Sequence, residues 1–236
     1  MKLPSSQTNG SFNPTGITFN ANTNEFAVSA GGKSGAASLI YSGEAGMIAG
    51  WSGSVDANNA VFAYTDDGGA AYKGLALANN GSADFLYATE FRNNKVDVFD
   101  STFAKQPAGM FPFSDPQLPS GYAPFGIRAI QNGSGGTWQL YVTYAQQAGS
   151  VGSAGDGKIN AFDSSSGAFV AAVADGTGAA FSVTGLWGIA FGNDAANQPH
   201  NTLFYAAGTN DEKNGDYGRI DVNASGSTPT PPPPGY

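Results

Sequence analysis

Pro124-Phe125-Gly126-Ile127 is a short unit built from a bulky or proline-bearing pair, a glycine and the first residue of an apolar run. The same unit stands at Pro14-Thr15-Gly16-Ile17, Tyr72-Lys73-Gly74-Leu75 and Leu186-Trp187-Gly188-Ile189. Its glycines, at 16, 74, 126 and 188, are 58, 52 and 62 residues apart, and a recurrence on that scale marks a repeat architecture. After each unit comes a loop rich in Asn and Gly and then a second apolar segment, at Phe26–Ala30, Phe85–Thr89, Leu140–Tyr144 and Leu203–Ala207. Segments of about five residues bounded by turn formers read as strands, being too short for helices. A third element alternates in polarity at Met47–Trp51, Lys95–Asp100, Lys158–Asp163 and Arg219–Val222. A fourth strand is expected at Ala60–Thr65 and Ala168–Ala174, is weak around Phe103–Phe113 and is missing after Val222.

Three or four antiparallel strands per unit, repeated radially, describe an all-β fold, a β-propeller of four blades. The four glycines are expected on the innermost strands, where a missing Cβ lets backbones approach closely. A solenoid is the competing repeat fold, but its periods are shorter and it lacks the hairpin-type third strand. The last unit has only three strands, and Met1–Ser5 precede the first inner strand as an outermost strand should. They are therefore expected beside Arg219–Val222, closing the ring; the alternative is a frayed terminus. Residues 1–224 then form one propeller domain. Residues 225–236 form a Pro-rich, low-complexity tail that favours extended polyproline II, as a spacer or a contact with a neighbouring molecule.

Of 236 residues, ten are Lys or Arg, eighteen Asp or Glu, one is His and none is Cys. A net charge of −8 leaves no electrostatic footprint for nucleic acid. The lack of cysteine removes disulfides, thiolate catalysis and Cys-based metal centres. No apolar run approaches the ~20 residues of a transmembrane helix, and no signal peptide is present in the chain.

Several stretches resemble an uncharacterised bacterial family of NHL-like propeller proteins: Pro14–Ile17, Tyr72–Ala76, Tyr87–Phe91, Gly121–Ile127, Gly185–Gly192 and Ala207–Glu212. The match runs in order from Pro14 to Val222. Members of that family are usually exported, some with a C-terminal sorting signal, so the resemblance implies an extracellular or periplasmic protein. It carries no established activity. It also implies about six blades, of which this chain lacks about two, with Gln146–Lys158 joining the second strand of one ancestral blade to the third strand of another.

Loops joining second to third strands share a propeller face with the connections between blades, and that face gathers the ligand candidates. They are Glu90, Arg92, Asn93 and Asn94; Tyr144, Gln146 and Gln147; and Asn210, Asp211 and Glu212. Carboxylates, amides and one Arg suit a small molecule, a glycan, a peptide or a cation; solvated turn residues give the same pattern. Asn210, Glu212, Asn214, Asp216 and Asp221 loosely echo a calcium loop, but without its first-position Asp, twelfth-position Glu or flanking helices. His200 falls in a loop between first and second strands, with no nucleophile or carboxylate placed beside it by the sequence. Glu90 with Asp211 is the one carboxylate pair worth weighing as acid and base. Trp51, Trp138 and Trp187 suit blade packing better than a sugar-stacking platform. The expected function is a non-catalytic extracellular binding or surface-assembly component, self-assembly included, with no cofactor unless calcium; a lyase or hydrolase using loop-face carboxylates is the alternative.

Overall fold

Four antiparallel sheets follow one another along the chain in the computed structural model, which describes residues 1–4, 11–131, 135–147, 156–210 and 213–221. The first is led by β1 (Pro14–Phe19), interrupted by a hairpin of β2 (Ala27–Ala30) and β3 (Lys33–Ala36), and completed by β4 (Leu39–Gly43), β5 (Met47–Trp51) and β6 (Val61–Thr65). The second comprises β7 (Tyr72–Asn79), β8 (Asp84–Glu90) and β9 (Lys95–Phe99). The third contains β10 (Tyr122–Gln131), β11 (Trp138–Gln146), β12 (Asp156–Asp163) and β13 (Phe169–Ala172), with the short β14 (Val183–Thr184) pairing the start of β12. The fourth is β15 (Leu186–Phe191), β16 (Leu203–Thr209) and β17 (Asn214–Ile220). No helix occurs among the described residues.

The glycine-led strands β1, β7, β10 and β15 lie side by side, and β7, β10 and β15 each pack across the first two strands of the preceding sheet. The reason is visible at the glycines. A Cβ on Gly16 meets the Leu75 nitrogen at 2.9 Å, one on Gly74 meets the Phe125 carbonyl oxygen at 2.8 Å, and one on Gly126 meets the Trp187 carbonyl oxygen at 3.0 Å. Backbone against backbone at that separation leaves no space for a side chain, so only glycine fits. Two apolar layers fill the first two seams. Ile40, Ile48, Leu75, Leu86 and Phe99 lie between sheets one and two, and Tyr87, Val98, Ile127, Leu140 and Phe162 between sheets two and three.

Each inner strand also carries a β-bulge at the same place. Thr15, Lys73 and Trp187 are the extra residues of their strands, since the residues on either side pair with consecutive residues of the next strand, and in sheet three Phe125 and Gly126 together face Thr143. Opposite the bulge, Thr89 Oγ1 receives the Gly74 N–H at 2.7 Å and donates to the Phe125 carbonyl, while Thr143 Oγ1 receives the Gly126 N–H at 2.7 Å. A threonine hydroxyl thus replaces the ladder hydrogen bond that a bulge breaks.

The arrangement is propeller-like, as expected, but it is an open arc. Among the described residues, sheet four packs on sheet three and no further sheet packs on its other side. The expected closure by Met1–Ser5 is not what forms: Lys2 bridges Asn59 in parallel, donating to the Asn58 carbonyl at 2.6 Å and accepting from the Ala60 N–H at 2.9 Å. The N-terminal segment covers the first sheet because that sheet has an apolar outer face. Leu3 and Phe12 pack with Tyr41, Met47, Ala49 and Ala60; burying them there is favourable at ~25 cal/mol per Å².

Two strand assignments also change. Phe26–Ala30 is no blade strand but the start of the β2–β3 hairpin, and Leu39–Gly43 is the true second strand of sheet one. Phe26 and Val28 are apolar because the hairpin plugs the first seam, with Phe26 edge-on to Phe103 at 5.2 Å. The third strand of sheet four begins at Asn214, eight residues before Val222, so the polar stretch before Arg219 is itself β-structure. The segment around Phe103–Phe113 contributes one bridge, Lys105 to Phe99, and otherwise wraps the sheet with Phe103, Phe111 and Phe113 turned into the core. Residues 148–155, which hold most of the Gln146–Lys158 junction, and the tail from 222 lie outside the described residues.

Candidate functional site

The bulge residues of neighbouring sheets meet. Thr15 Oγ1 donates to the Tyr72 carbonyl at 2.7 Å, the Lys73 ammonium stands 5.6 Å from the Phe125 ring centre, and Phe125 is edge-on to Trp187 at 5.1 Å. Phe91, in the turn after β8, also packs edge-on against Phe125 at 5.7 Å. This gives a continuous row of one ammonium and three aromatic rings, with Lys73, Phe125 and Trp187 on inner strands and Phe91 in the β8–β9 turn, and Trp187 at its end is exposed.

Lys73 ties the row to the loop face by pairing with Glu44, in the turn between β4 and β5. Beside that pair lies an open cleft of about 510 Å³ lined by Ser11, Asn13, Glu44, Asp67, Gly69 and Arg92. Its walls are the β4–β5 turn, the connection into β7 and the β8–β9 turn, the set of loops expected to share one face. Gly69, at φ +76°, lets the chain pass under the Arg92 guanidinium, which lies 3.0 Å from where a Cβ would project.

Arg92 owes its position to Glu90. The Glu90 side chain is fully buried, and its carboxylate accepts hydrogen bonds from the backbone N–H groups of Ala71 at 2.8 Å, Arg92 at 2.9 Å and Asn93 at 3.0 Å. It orders the turn, and Asn94 completes it at φ +52°, a conformation that asparagine tolerates. Gln147 latches the next sheet to this turn by donating to the Phe91 and Arg92 carbonyls. Tyr144 is buried in the second seam, and Gln146 is exposed at the end of β11.

The remaining candidates are more dispersed. Asn210 sits in the β16–β17 turn at φ +54°, while Asp211 and Glu212 lie outside the described residues. Asn214 and Asp216 project along β17, and at ~3.4 Å per strand residue Asp221 is on the order of 24 Å from Asn214. Asp221 is held at that far end by Thr202 Oγ1 at 3.0 Å and the Arg219 guanidinium at 3.1 Å. The calcium-like spacing therefore runs along an extended strand and is not gathered into a loop. His200 is exposed; its backbone N–H and ring Nδ1 both contact Asp194 at 2.9 Å, and that backbone bond, with the imidazole, holds the Asp194 carboxyl below its ordinary range. Trp51 and Trp138 pack into different apolar layers, away from Trp187.

Sequence reasoning did not single out Lys73, Glu44 or Asp67. Lys73 and Trp187 stand at the same position of the repeated unit, immediately before the glycine, and that shared position was the available signal.

No family model matches the chain. An uncharacterised protein of Acanthamoeba polyphaga mimivirus is 27% identical over 137 residues, which is 57% of this chain and 24% of the viral protein. Among solved structures, the Dos1 propeller superposes with a TM-score of 0.50 at 14% identity, over 89% of this chain and 58% of that one. An exo-β-1,3-galactanase from Phanerochaete chrysosporium, solved with galactose, gives 0.40 at 15% identity over 67% and 38%. The chain thus spans about a quarter of the viral relative and just over half of the Dos1 propeller. The structural likeness is one of propeller fold. No helix among the described residues is long and apolar enough to cross a membrane.

Proposed function

We propose that this protein is a non-catalytic binding and surface-assembly component that works outside the cell and holds a small polar ligand at the inner-strand mouth of its loop face. One observation carries the reading: the exposed Trp187 edge, the Phe125 and Phe91 rings and the Lys73–Glu44 pair run without a break into the cleft that Arg92 lines. An aromatic face for stacking beside a guanidinium and carboxylates is the usual equipment of a site for saccharides or short polar peptides, where a few placed polar groups fix orientation. The buried Glu90 fits a scaffold role that holds the Arg92 turn in shape before a ligand arrives.

The test is a titration followed by tryptophan fluorescence and calorimetry, with neutral and acidic oligosaccharides, a short peptide library and calcium as separate arms. Saturable binding that weakens at least tenfold in both Arg92→Ala and Trp187→Ala supports the proposal. Binding that is unchanged in both, but lost in Asp211→Ala or Glu212→Ala, moves the site to the β16–β17 turn. No binding in any arm removes the ligand half of the reading.

A further inference from the structure

Three of the four repeated glycines are capped by the next inner strand, and the fourth is not: among the described residues nothing lies within 4 Å of a Cβ built on Gly188. The face around it has the makeup of a seam. Gly188, Ala190, Phe204, Ala206, Tyr217 and Arg219 follow the pairing register of Gly74, Ala76, Tyr87, Thr89, Val96 and Val98 in sheet two. Those sheet-two residues are all buried beneath β10, whereas Tyr217 is 66% exposed. At the other end of the arc, Ile17 stands where Leu75, Ile127 and Ile189 stand in their units. Those three are 1%, 1% and 5% exposed, each pressed on the preceding sheet, while Ile17 is 50% and Phe19 66% exposed. The described N-terminal residues Leu3 and Phe12 pack on the far side of sheet one, while Ile17 and Phe19 of β1 stay exposed.

Among the described residues, one end of the arc therefore offers an inner strand without a preceding sheet, and the other offers a sheet without a following inner strand. We propose that two copies of this chain associate head to tail, β1 of each lying across β15 and β16 of the other, to close one ring about a two-fold axis. The contact continues a seam the chain already makes three times. Ala206 stands where Thr89 and Thr143 carry hydroxyls, while Tyr217 and Arg219 stand where Val96 and Val98 do. Three strands ~4.8 Å apart and about six residues long at ~3.4 Å each give a face of roughly 300 Å². A two-copy ring engages two end faces per chain, and side-chain relief brings this near the ~800 Å² per partner of stable complexes, which one seam alone does not reach. The inference deepens the assembly half of the proposed function, and loss of ligand binding leaves it untouched.

Sedimentation velocity from about 1 to 100 μM tests it, with a species of twice the 24.0 kDa chain mass expected. Gly188→Val adds atoms only into open space within one chain, so its circular dichroism and melting should match wild-type monomer while the dimer constant weakens at least tenfold. Ile17→Asp should do the same. Mixing the two variants should restore part of the association, since one seam of the mixed ring has both native sides. A monomer at every concentration overturns the inference, as do open polymers, a dimer insensitive to both variants, or a mixture that gains nothing.

Discussion

Replacing Asp97 by alanine should lower stability by about 3 kcal/mol. Its carboxylate is 5% exposed and accepts from the Tyr72 hydroxyl at 3.0 Å, the Lys95 ammonium at 2.7 Å and the Lys105 ammonium at 2.7 Å. Lys105 also reaches Asp66 at 3.0 Å, so the group pins the segment after β9 to the connection between sheets one and two. Alanine leaves the buried Tyr72 hydroxyl without an acceptor, at about 1–3 kcal/mol. Removing one side of a fully buried ion pair costs about 3–5 kcal/mol, but Lys95 and Lys105 are part-exposed and Lys105 keeps Asp66, so only a fraction of that applies. For a domain of this size ~3 kcal/mol corresponds to a fall in Tm of about 6–12 °C. The assay is urea unfolding of the wild type, Asp97→Ala, Tyr72→Phe and the double variant. Tyr72→Phe removes the stranded hydroxyl, so a coupling of about 1–2 kcal/mol is expected between the two sites. A single-variant loss under ~0.5 kcal/mol, or strict additivity, refutes the reasoning.

Gly74→Ala should cost about 1–3 kcal/mol, because its Cβ must displace the Phe125 and Ile127 backbones at 2.8 and 2.9 Å; Gly188→Ala in an Ile17→Asp background should change stability by less than ~0.5 kcal/mol, and equal effects in urea unfolding count against the seam. Burial raises the Asp66 carboxyl, but the Lys105 ammonium and the Ala70 and Gly68 N–H groups outweigh it and hold it below its ordinary value. Asp100 and Asp163 are likewise held down, against burial, by the hydroxyl and backbone donors of Thr102 and of Ser165 and Ser166. Carboxyls lowered by folding add stability that is complete above the unfolded pKa of about 3.9 and lost as pH falls through the folded value. The urea midpoint should drop between about pH 4 and 2, less steeply in Asp66→Asn; a midpoint flat over that range contradicts it. Acrylamide should quench Trp187 more strongly than Trp51 or Trp138, and quenching unchanged by Trp187→Phe would place the exposed indole elsewhere.

The inner strands were legible in the sequence because their glycine, forced by backbone contact in three of the four, is the feature that repeats. Leu39–Gly43 was hidden by a stronger apolar signal at Phe26–Ala30: hydrophobicity reports burial, and burial under a plugging hairpin looks the same as burial in a blade. Closure was misread since pairing partners far apart in sequence leave no local trace, and Leu3 and Phe12 chose the nearest uncovered apolar face. Among the site residues, Arg92 was visible as a charge in a turn. Glu90 looked equivalent, and only the three N–H groups converging on it separate the carboxylate that builds the turn from the guanidinium the turn displays.

The extra residue in each inner-strand bulge has no partner across the ladder, so its identity is free of strand register. Thr15, Lys73, Phe125 and Trp187 differ widely in chemistry, yet each stands immediately before the repeated glycine, in the bulge. A hydroxyl, a cation and two kinds of ring have been exchanged there without disturbing the glycine that follows or the hydrogen bonds on either side. The fold thus separates what must stay constant from what can vary by a single residue step. Rewriting the lining of the inner mouth requires four point substitutions and no change in the sheets, which makes this row the natural place for selection, or an engineer, to change the chemistry of that mouth.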